Sequence, residues 1–410
     1  MAVAITPELC VAGRELTEPK LDRDGRRLAF VSRQAGATSI QLIDLADPTA
    51  LERQLTTFPA PAPGRGMYGG CFAWMPDGSG VVYCGPDGRL WRQPVTGGAA
   101  DALTAGHDGR PVAAPAVAAD GSFVVYIVDT AEVCLQPLDG RAVRRLDEGS
   151  HDFCADPATD PTGAFVSYQA WSVPDMPWDG AARITVAVDG TDVRTAWRPD
   201  GGAVQQPRFA PDGTPIHVHD GTGWLQVWWG ERRLLADDEC EHADASWGQG
   251  QVSFAVSPSG DRVAVARNER GFGRLSVVDV ATGASTDVAR GVHGQLSWRG
   301  ERLAAVRSGA RTPTQVVVYD TASWERRVLA VGPVVGWDGV DLIEPEAITL
   351  EHDDATLHAR RYVSPASSGR LLMMLHGGPT GQWPVTLLPC VAPLLPCGWG
   401  VLLPYHRGLT

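Results

Sequence analysis

Basic residues, and lysine above all, are scarce in this sequence. Of its 410 residues, 35 are Lys or Arg and 48 are Asp or Glu, which gives a formal charge of −13. A general nucleic-acid binder needs a basic face, so this balance argues against that class. Lys20 is the only lysine. We interpret this bias toward arginine as a compositional habit of the source and not as chemistry.

Targeting segments, membrane spans and cysteine motifs are also missing. Met1–Cys10 has neither a basic stretch nor an apolar core, so no secretory signal is visible. The apolar runs are interrupted by Gly, Pro and polar residues before they reach the length of a membrane span. The eight cysteines are scattered singly without a C-x-x-C pair, which predicts reduced, buried thiols. We therefore expect a cytoplasmic protein without a membrane partner, in which Cys390 and Cys397 have no functional role.

A repeated sequence pattern covers most of the chain, to about residue 340. A turn of the Asp-Gly or Ser-Gly kind precedes a run of β-forming residues, as in Asp24-Gly25 before Arg27–Ser32. Glycine closes such a hairpin because it adopts positive φ without steric cost. The turn glycines lie 40 to 53 residues apart, which is the spacing of propeller blades, and they are Gly25, Gly78, Gly121, Gly163, Gly213, Gly260 and Gly300. Seven markers predict a mainly β fold, a seven-bladed β-propeller over residues 1–340.

The repeated turn-and-strand pattern stops after Trp337, so residues 341–410 are expected to form a second, different unit. Two strands around a tight turn at Asp353-Asp354 are followed by the apolar strand Arg370–Leu375 and by the strand Gly400–Pro404. Five apolar residues in a row, Leu371–Leu375, fit a strand that is buried on both faces. A crossover over 386–396 should connect the last two strands in parallel. Its three prolines argue against a regular helix.

The strand 371–375 runs into His376-Gly377-Gly378-Pro379. Glycines that follow a strand leave main-chain N–H groups uncovered, and this is what an oxyanion hole requires. Gly377 and Gly378 are the candidate donors. His376 is expected to brace the turn and not to act as a base.

These features together resemble the prolyl oligopeptidase (S9) family of serine peptidases, and the HGGP loop is closest to its acylaminoacyl-peptidase-like branch. The segment 17–31 looks like the family's entry blade, and 346–363, the 376–381 loop and 403–408 are similar to the opening of its α/β-hydrolase domain. The resemblance implies Ser-His-Asp hydrolysis of short or N-acylated peptides, with no cofactor and a small peptide as the partner.

The family's G-x-S-x-G nucleophile elbow does not occur at any serine of the 410 residues. The expectation is therefore a propeller plus a truncated α/β-hydrolase segment that lacks the nucleophile, base and acid and is inactive alone. Two alternatives stay open. One is a catalytically inert TolB-like propeller that binds a peptide or protein, and the other is a truncated product with exposed strand edges and poor solubility.

Two further groups of polar residues were weighed as sites. His217 and His219 lie two apart on one strand and face the same side, as a metal pair would, but no third ligand is evident. The acidic cluster Asp237–Glu239, with Glu241 and His242, is expected to be a solvated loop; contact with a substrate amine or a cation is the alternative. No metal site is predicted.

Overall fold

The computed structural model describes residue 6 and residues 12–62, 69–191, 194–199, 201–236, 239–332, 342–352, 355–365, 367–377 and 381–405. Within these residues the chain forms eight four-stranded sheets and one helical turn, α1 (Pro177–Gly180). The expected mainly β fold is confirmed. No helix in the described part of the chain is long and apolar enough to cross a membrane.

The first seven sheets are antiparallel and each is built from four consecutive strands. Sheets 1 and 2 contain β1 (Arg14–Leu21), β2 (Arg27–Gln34), β3 (Ala37–Asp44), β4 (Arg53–Gln54), β5 (Phe72–Trp74), β6 (Gly80–Cys84), β7 (Leu90–Pro94) and β8 (Asp101–Ala102). Sheets 3 and 4 contain β9 (Val112–Val117), β10 (Phe123–Val128), β11 (Glu132–Pro137), β12 (Arg144–Arg145), β13 (Phe153–Thr159), β14 (Phe165–Trp171), β15 (Ala182–Ala187) and β16 (Arg194–Trp197).

Sheets 5 to 7 repeat this order. They contain β17 (Val204–Phe209), β18 (Pro215–His219), β19 (Gln226–Trp229), β20 (Arg232–Arg233), β21 (Phe254–Val256), β22 (Arg262–Glu269), β23 (Phe272–Asp279), β24 (Ser285–Arg290), β25 (Val292–Arg299), β26 (Arg302–Gly309), β27 (Thr312–Asp320) and β28 (Arg326–Val331). Each repeat marker of the sequence lies between the first and second strands of one sheet, and all seven marker glycines have φ between 54° and 88°. The turn prediction is confirmed at every marker.

Neighbouring sheets pack face to face, and the packing is cyclic. Apolar clusters join sheets 1 and 2, 2 and 3, 3 and 4, 5 and 6, and 6 and 7. A further cluster joins sheet 7 to sheet 1, with Leu28 and Phe30 against Ala304 and Val316. We call sheets 1–7 the cyclic array; its arrangement is consistent with a β-propeller.

The first strand of five of the seven sheets carries a β-bulge with one residue at positive φ; these residues are Glu18, Ala114, Asp156, Gln206 and Gln295. Three of the side chains reach the next sheet. The Cys71 N–H donates to both carboxylate oxygens of Glu18 (2.9 and 3.0 Å), the Ser253 N–H to Gln206 Oε1 (2.8 Å), and the Glu18 N–H to Gln295 Oε1 (2.6 Å). At these bulges, polar side chains therefore form hydrogen bonds to the neighbouring sheet.

The eighth sheet differs from the others. It has the order β29 (Glu346–His352), β30 (Ala355–Tyr362), β32 (Trp399–Pro404), β31 (Arg370–Met373). β31 and β32 run parallel, so the predicted crossover is confirmed. The connection shows turns and no regular helix at 389–398, as the prolines indicated. Asp353-Asp354 and the expected unit boundary near 340 lie outside the described residues.

The burial predicted for 371–375 is wrong. Leu371, Met373 and Leu375 are 51%, 57% and 63% exposed. β31 is at the edge of the eighth sheet and pairs with β32 on one side, among the residues that the structure describes. The apolar run identifies a strand that has a neighbour along one edge only.

Candidate functional site

His376 and Gly377 follow β31 after Met374 and Leu375. His376 Nδ1 lies 2.8 Å from the Gly377 carbonyl oxygen, so the ring contacts the loop's own main chain, as the bracing role requires. Gly377 is exposed, and a Cβ built at this position would meet no heavy atom within 4 Å. The space around Gly377 is thus open to a ligand. Gly378, Pro379 and Thr380 lie outside the described residues.

A cavity of about 330 Å³ lies where the cyclic array meets the loop that follows Gly377; we call it the upper cavity. Pro384 and Thr386 line it from the loop side, while Asp244, Arg267 and His293 are among the residues on the array side. Burial raises the pKa of Asp244 and lowers that of His293 to about 4. The volume falls within the range of small-ligand sites.

Arg360 connects the eighth sheet to the array. It is 3% exposed, and its Nη2 donates to the Arg270 carbonyl oxygen. Its guanidinium lies 4.2 Å from the centre of the Phe272 ring, and its Nε donates to the Tyr405 hydroxyl (3.0 Å). One side chain of β30 therefore contacts both a turn of sheet 6 and the residue that follows β32.

A second cavity of about 780 Å³, the lower cavity, is lined by the first strands of sheets 1–5 and 7 and by Val252 and Pro258, which flank the first strand of sheet 6. Residues 243–252, the crossing segment, separate the two. Gly250, which precedes sheet 6, lies so close to Gly70, which precedes sheet 2, that a Cβ at position 250 would overlap the Gly70 nitrogen. The Gly250 N–H also donates to Asp156 Oδ1 (2.6 Å) in sheet 4. The segment thus spans the middle of the array.

His217 and His219 do not form a metal site. They lie on one face of β18, as predicted, but the His217 and His219 rings are 4.2 and 5.3 Å from the Trp197 ring, between sheets 4 and 5. Arg183 Nη1 lies 2.8 Å from His217 Nδ1, and burial lowers the pKa of both histidines. Within the described residues, no group of three or more His, Cys, Asp or Glu is placed to hold a metal ion. The pair fills the interface where the other sheets have an apolar cluster.

The acidic cluster is only partly described, since Asp237 and Asp238 lie outside the described residues. Glu239 is exposed, as a solvated loop predicts. Glu241 is half-buried: its Oε2 accepts the Leu225 N–H (2.7 Å), and its main chain bridges to Asn268. His242 Nδ1 accepts the Val227 N–H (3.1 Å). Glu241 and His242 therefore hold the start of the crossing segment against β19.

The cysteines follow the prediction at five of seven described positions. Cys71, Cys84, Cys134, Cys154 and Cys240 are buried thiols, whereas Cys390 and Cys397 are exposed. Burial raises the pKa of Cys134 and Cys154 to about 12, so these thiols stay protonated and inert. The expected burial is wrong for the pair in the crossover, because the turns there cover little surface.

The comparisons with known proteins follow this architecture. A puromycin-hydrolyzing peptidase from Mycobacterium tuberculosis matches 100% of this chain and 70% of its own, with a TM-score of 0.85 and 23% identity. The alignment with a puromycin hydrolase covers 100% of this chain and 69% of the hydrolase, with a TM-score of 0.80 and 25% identity. The alignment with an acylaminoacyl peptidase from Pyrococcus horikoshii covers 97% of this chain and 66% of the peptidase, with a TM-score of 0.70 and 13% identity. No family model matches the chain, and no curated protein does.

These solved structures are peptidases and hydrolases by name, and they share the fold of this chain over nearly all of its length. The resemblance to the prolyl oligopeptidase family is therefore supported at the level of fold. Sequence reasoning missed Arg360 and the crossing segment. The segment had a signal, since residues 234–253 between β20 and β21 form a connection far longer than the usual few residues, and such loops are commonly functional.

Proposed function

We propose that this chain is the propeller and the opening of the catalytic domain of a serine peptidase that hydrolyses short or N-acylated peptides. Sheets 1–7 are then seven blades within residues 1–340, and 341–410 contribute the first strands of an α/β-hydrolase domain. The activity places the protein with prolyl oligopeptidase-type enzymes, on the acylaminoacyl-peptidase-like branch. A cytoplasmic location belongs to the same proposal.

One observation carries the proposal: the cyclic array is followed by a mixed sheet whose strand β31 delivers an exposed glycine at its end. Gly377 and Gly378 would donate main-chain N–H groups to the oxyanion that forms when a nucleophile attacks a peptide carbonyl. Removing one such donor typically costs about 100- to 1,000-fold in kcat. His376 would hold the loop in the donating conformation through its contact with the Gly377 carbonyl.

The triad is the part that these 410 residues lack, because no G-x-S-x-G occurs among them. We propose that the nucleophile, base and acid are supplied by further polypeptide. Two facts support this: among the described residues β31 is an edge strand with exposed apolar side chains, where another strand of a hydrolase sheet would pair, and the solved structures named above are longer than this chain. The upper cavity would then hold the part of a short peptide that faces the array.

The test is labelling of the protein from its native source with a fluorophosphonate probe, followed by sizing of the labelled band. Labelling well above 43.7 kDa is expected. Labelling at 43.7 kDa would place a nucleophilic serine inside these residues and overturn this account of the site.

A binding module of the TolB-like kind is the second candidate, and the missing nucleophile elbow favours it. It predicts no labelling at any mass. It gives no reason for an exposed glycine loop at the end of a parallel strand, and the peptidase proposal does.

A further inference from the structure

We propose that the lower cavity is a binding site for a carboxylate carried on an apolar body, such as the free C-terminus of a short apolar peptide. The site is built by Arg208 and Arg299 on one side and by proline, alanine and aromatic walls around them. It is distinct from the Gly377 loop and does not require catalysis.

The crossing segment contributes to the wall of this cavity. Val252 contributes to both cavities, and Gly250 meets Gly70 from the opposite side of the array. Of β1, Leu16 and Thr17 line the upper cavity while Lys20 and Leu21 line the lower one. The lower cavity is large enough, at about 780 Å³, for a peptide of a few residues.

Positive charge collects in this pocket although the whole chain is strongly acidic. Lys20, Arg23, Arg208 and Arg299 line it, against the carboxylates of Asp156 and Asp160. Glu18 pairs with Lys20 at 2.9 Å. The Asp160 carboxylate is occupied by its own turn, where it accepts the Phe165 N–H (2.7 Å) and the Thr162 N–H (3.1 Å).

Arg208 and Arg299 have no carboxylate within 4.0 Å among the described residues, and the acceptors of their hydrogen bonds are main-chain oxygens. Arg208 donates to the carbonyls of Pro207 (2.7 Å) and Gln251 (3.3 Å), and Arg299 to that of Trp298 (3.0 Å). Each guanidinium has five N–H groups, so both have more donors than these main-chain acceptors use. Burial lowers the pKa of the Arg208 guanidinium, whereas Arg299 is an exposed residue. Two guanidinium groups with spare donors are suited to a planar oxyanion.

Asp156 does not occupy the donors of Arg208 and Arg299. Its Oδ1 accepts the Gly250 N–H, and its pKa is raised because burial disfavours the charged form, which weakens its competition for the arginines. The remaining walls are apolar: Ala73, Met75, Pro76, Pro115, Pro157 and Phe209. An inorganic ion would leave these surfaces wet, whereas an apolar body would cover them.

The experiment is calorimetric titration of the full chain with N-acetyl-Ala-Ala-Phe, with its C-terminal amide, and with inorganic phosphate. We expect the acid to bind with 1:1 stoichiometry and the amide at least tenfold more weakly. Equal affinity of acid and amide, or no saturable binding of the acid, overturns the proposal. Binding of phosphate without binding of the peptide acid overturns the peptide carboxylate as ligand and leaves a simple oxyanion site.

Variants locate the site. Arg299→Gln should weaken binding of the acid at least tenfold, and Arg299→Lys should restore part of it. Arg33→Gln, an exposed arginine outside the pocket, should leave binding within twofold. If Arg208→Gln fails to fold, as its main-chain contacts allow, the Arg299 pair still decides the matter. An Arg299→Gln variant that folds and binds as the unmodified chain does contradicts the assignment.

Discussion

β10 and β31 are both strands rich in large apolar residues, yet only β10 is buried. Phe123–Val128 are at most 5% exposed, whereas Leu371, Leu372 and Met373 are 51%, 38% and 57% exposed. β10 pairs with β9 and β11, and its alternating side chains pack against sheets 2 and 4. Among the described residues β31 pairs with β32 alone. Composition decides which residues can be buried, and neighbours decide which ones are.

The largest expected effect contrasts two leucines. Leu28→Ala, fully buried between sheets 1 and 7, should lower the free energy of unfolding by about 2–5 kcal/mol because it leaves a cavity. Leu371→Ala, half exposed on β31, should change it by less than about 1 kcal/mol. Urea denaturation followed by tryptophan fluorescence measures both. Equal losses would show that β31 is as well packed as the array.

Acid should destabilise the array through a buried histidine. His293 contacts the Tyr319 hydroxyl (2.8 Å) and the Gly291 carbonyl (2.8 Å), and Arg307 and Arg326 face it with positive charge. Burial holds its pKa at about 4, below the ordinary 6.5. Between these values the unfolded chain binds a proton that the folded chain does not, so the free energy of unfolding falls as pH drops from 6.5 toward 4.

The check is the urea midpoint at pH 7.5 and at pH 5, for the unmodified chain and for His293→Gln. The unmodified chain should lose more stability than the variant over this interval. A residual loss in the variant is expected from His217, whose pKa is also lowered by burial. Parallel pH profiles for the two proteins would contradict the role of His293.

The smallest effect on the array is expected from cutting its connection to the eighth sheet. Arg360→Met removes the contacts to Arg270 and Phe272, and the eighth sheet should become more sensitive to protease within residues 342–405 while the array stays resistant. Arg361→Met is the matched control, because this neighbour is exposed and pairs with Glu346 at 2.6 Å within the eighth sheet. Identical cleavage rates in the two variants would show that Arg360 does not hold the units together.

Much of the fold could be predicted from local chemistry. The turn at Gly25 and the six equivalent turns each need a residue at positive φ, and the glycines that meet this need can be recognised in the sequence. The exposure of Leu371 could not be predicted in this way, since it depends on which strand lies beside β31. In the candidate site, the neighbouring residues His376 and Gly377 could be recognised in the sequence as part of a motif. The pairing of Gly250 with Gly70, 180 residues apart in the chain, has no local signature.

Each of the seven sheets of the array is made from one uninterrupted stretch of chain, and in the described residues sheet 7 meets sheet 1 through side chains such as Gln295 and not through a shared strand. The cycle therefore has no privileged starting point. A gene rearranged to begin at sheet 4 and end at sheet 3 would encode the same interfaces, and sheets can be duplicated or lost as whole units. Within the described residues no strand is shared between sheets 7 and 1, so separating these two sheets would break side-chain contacts without removing a strand from either sheet.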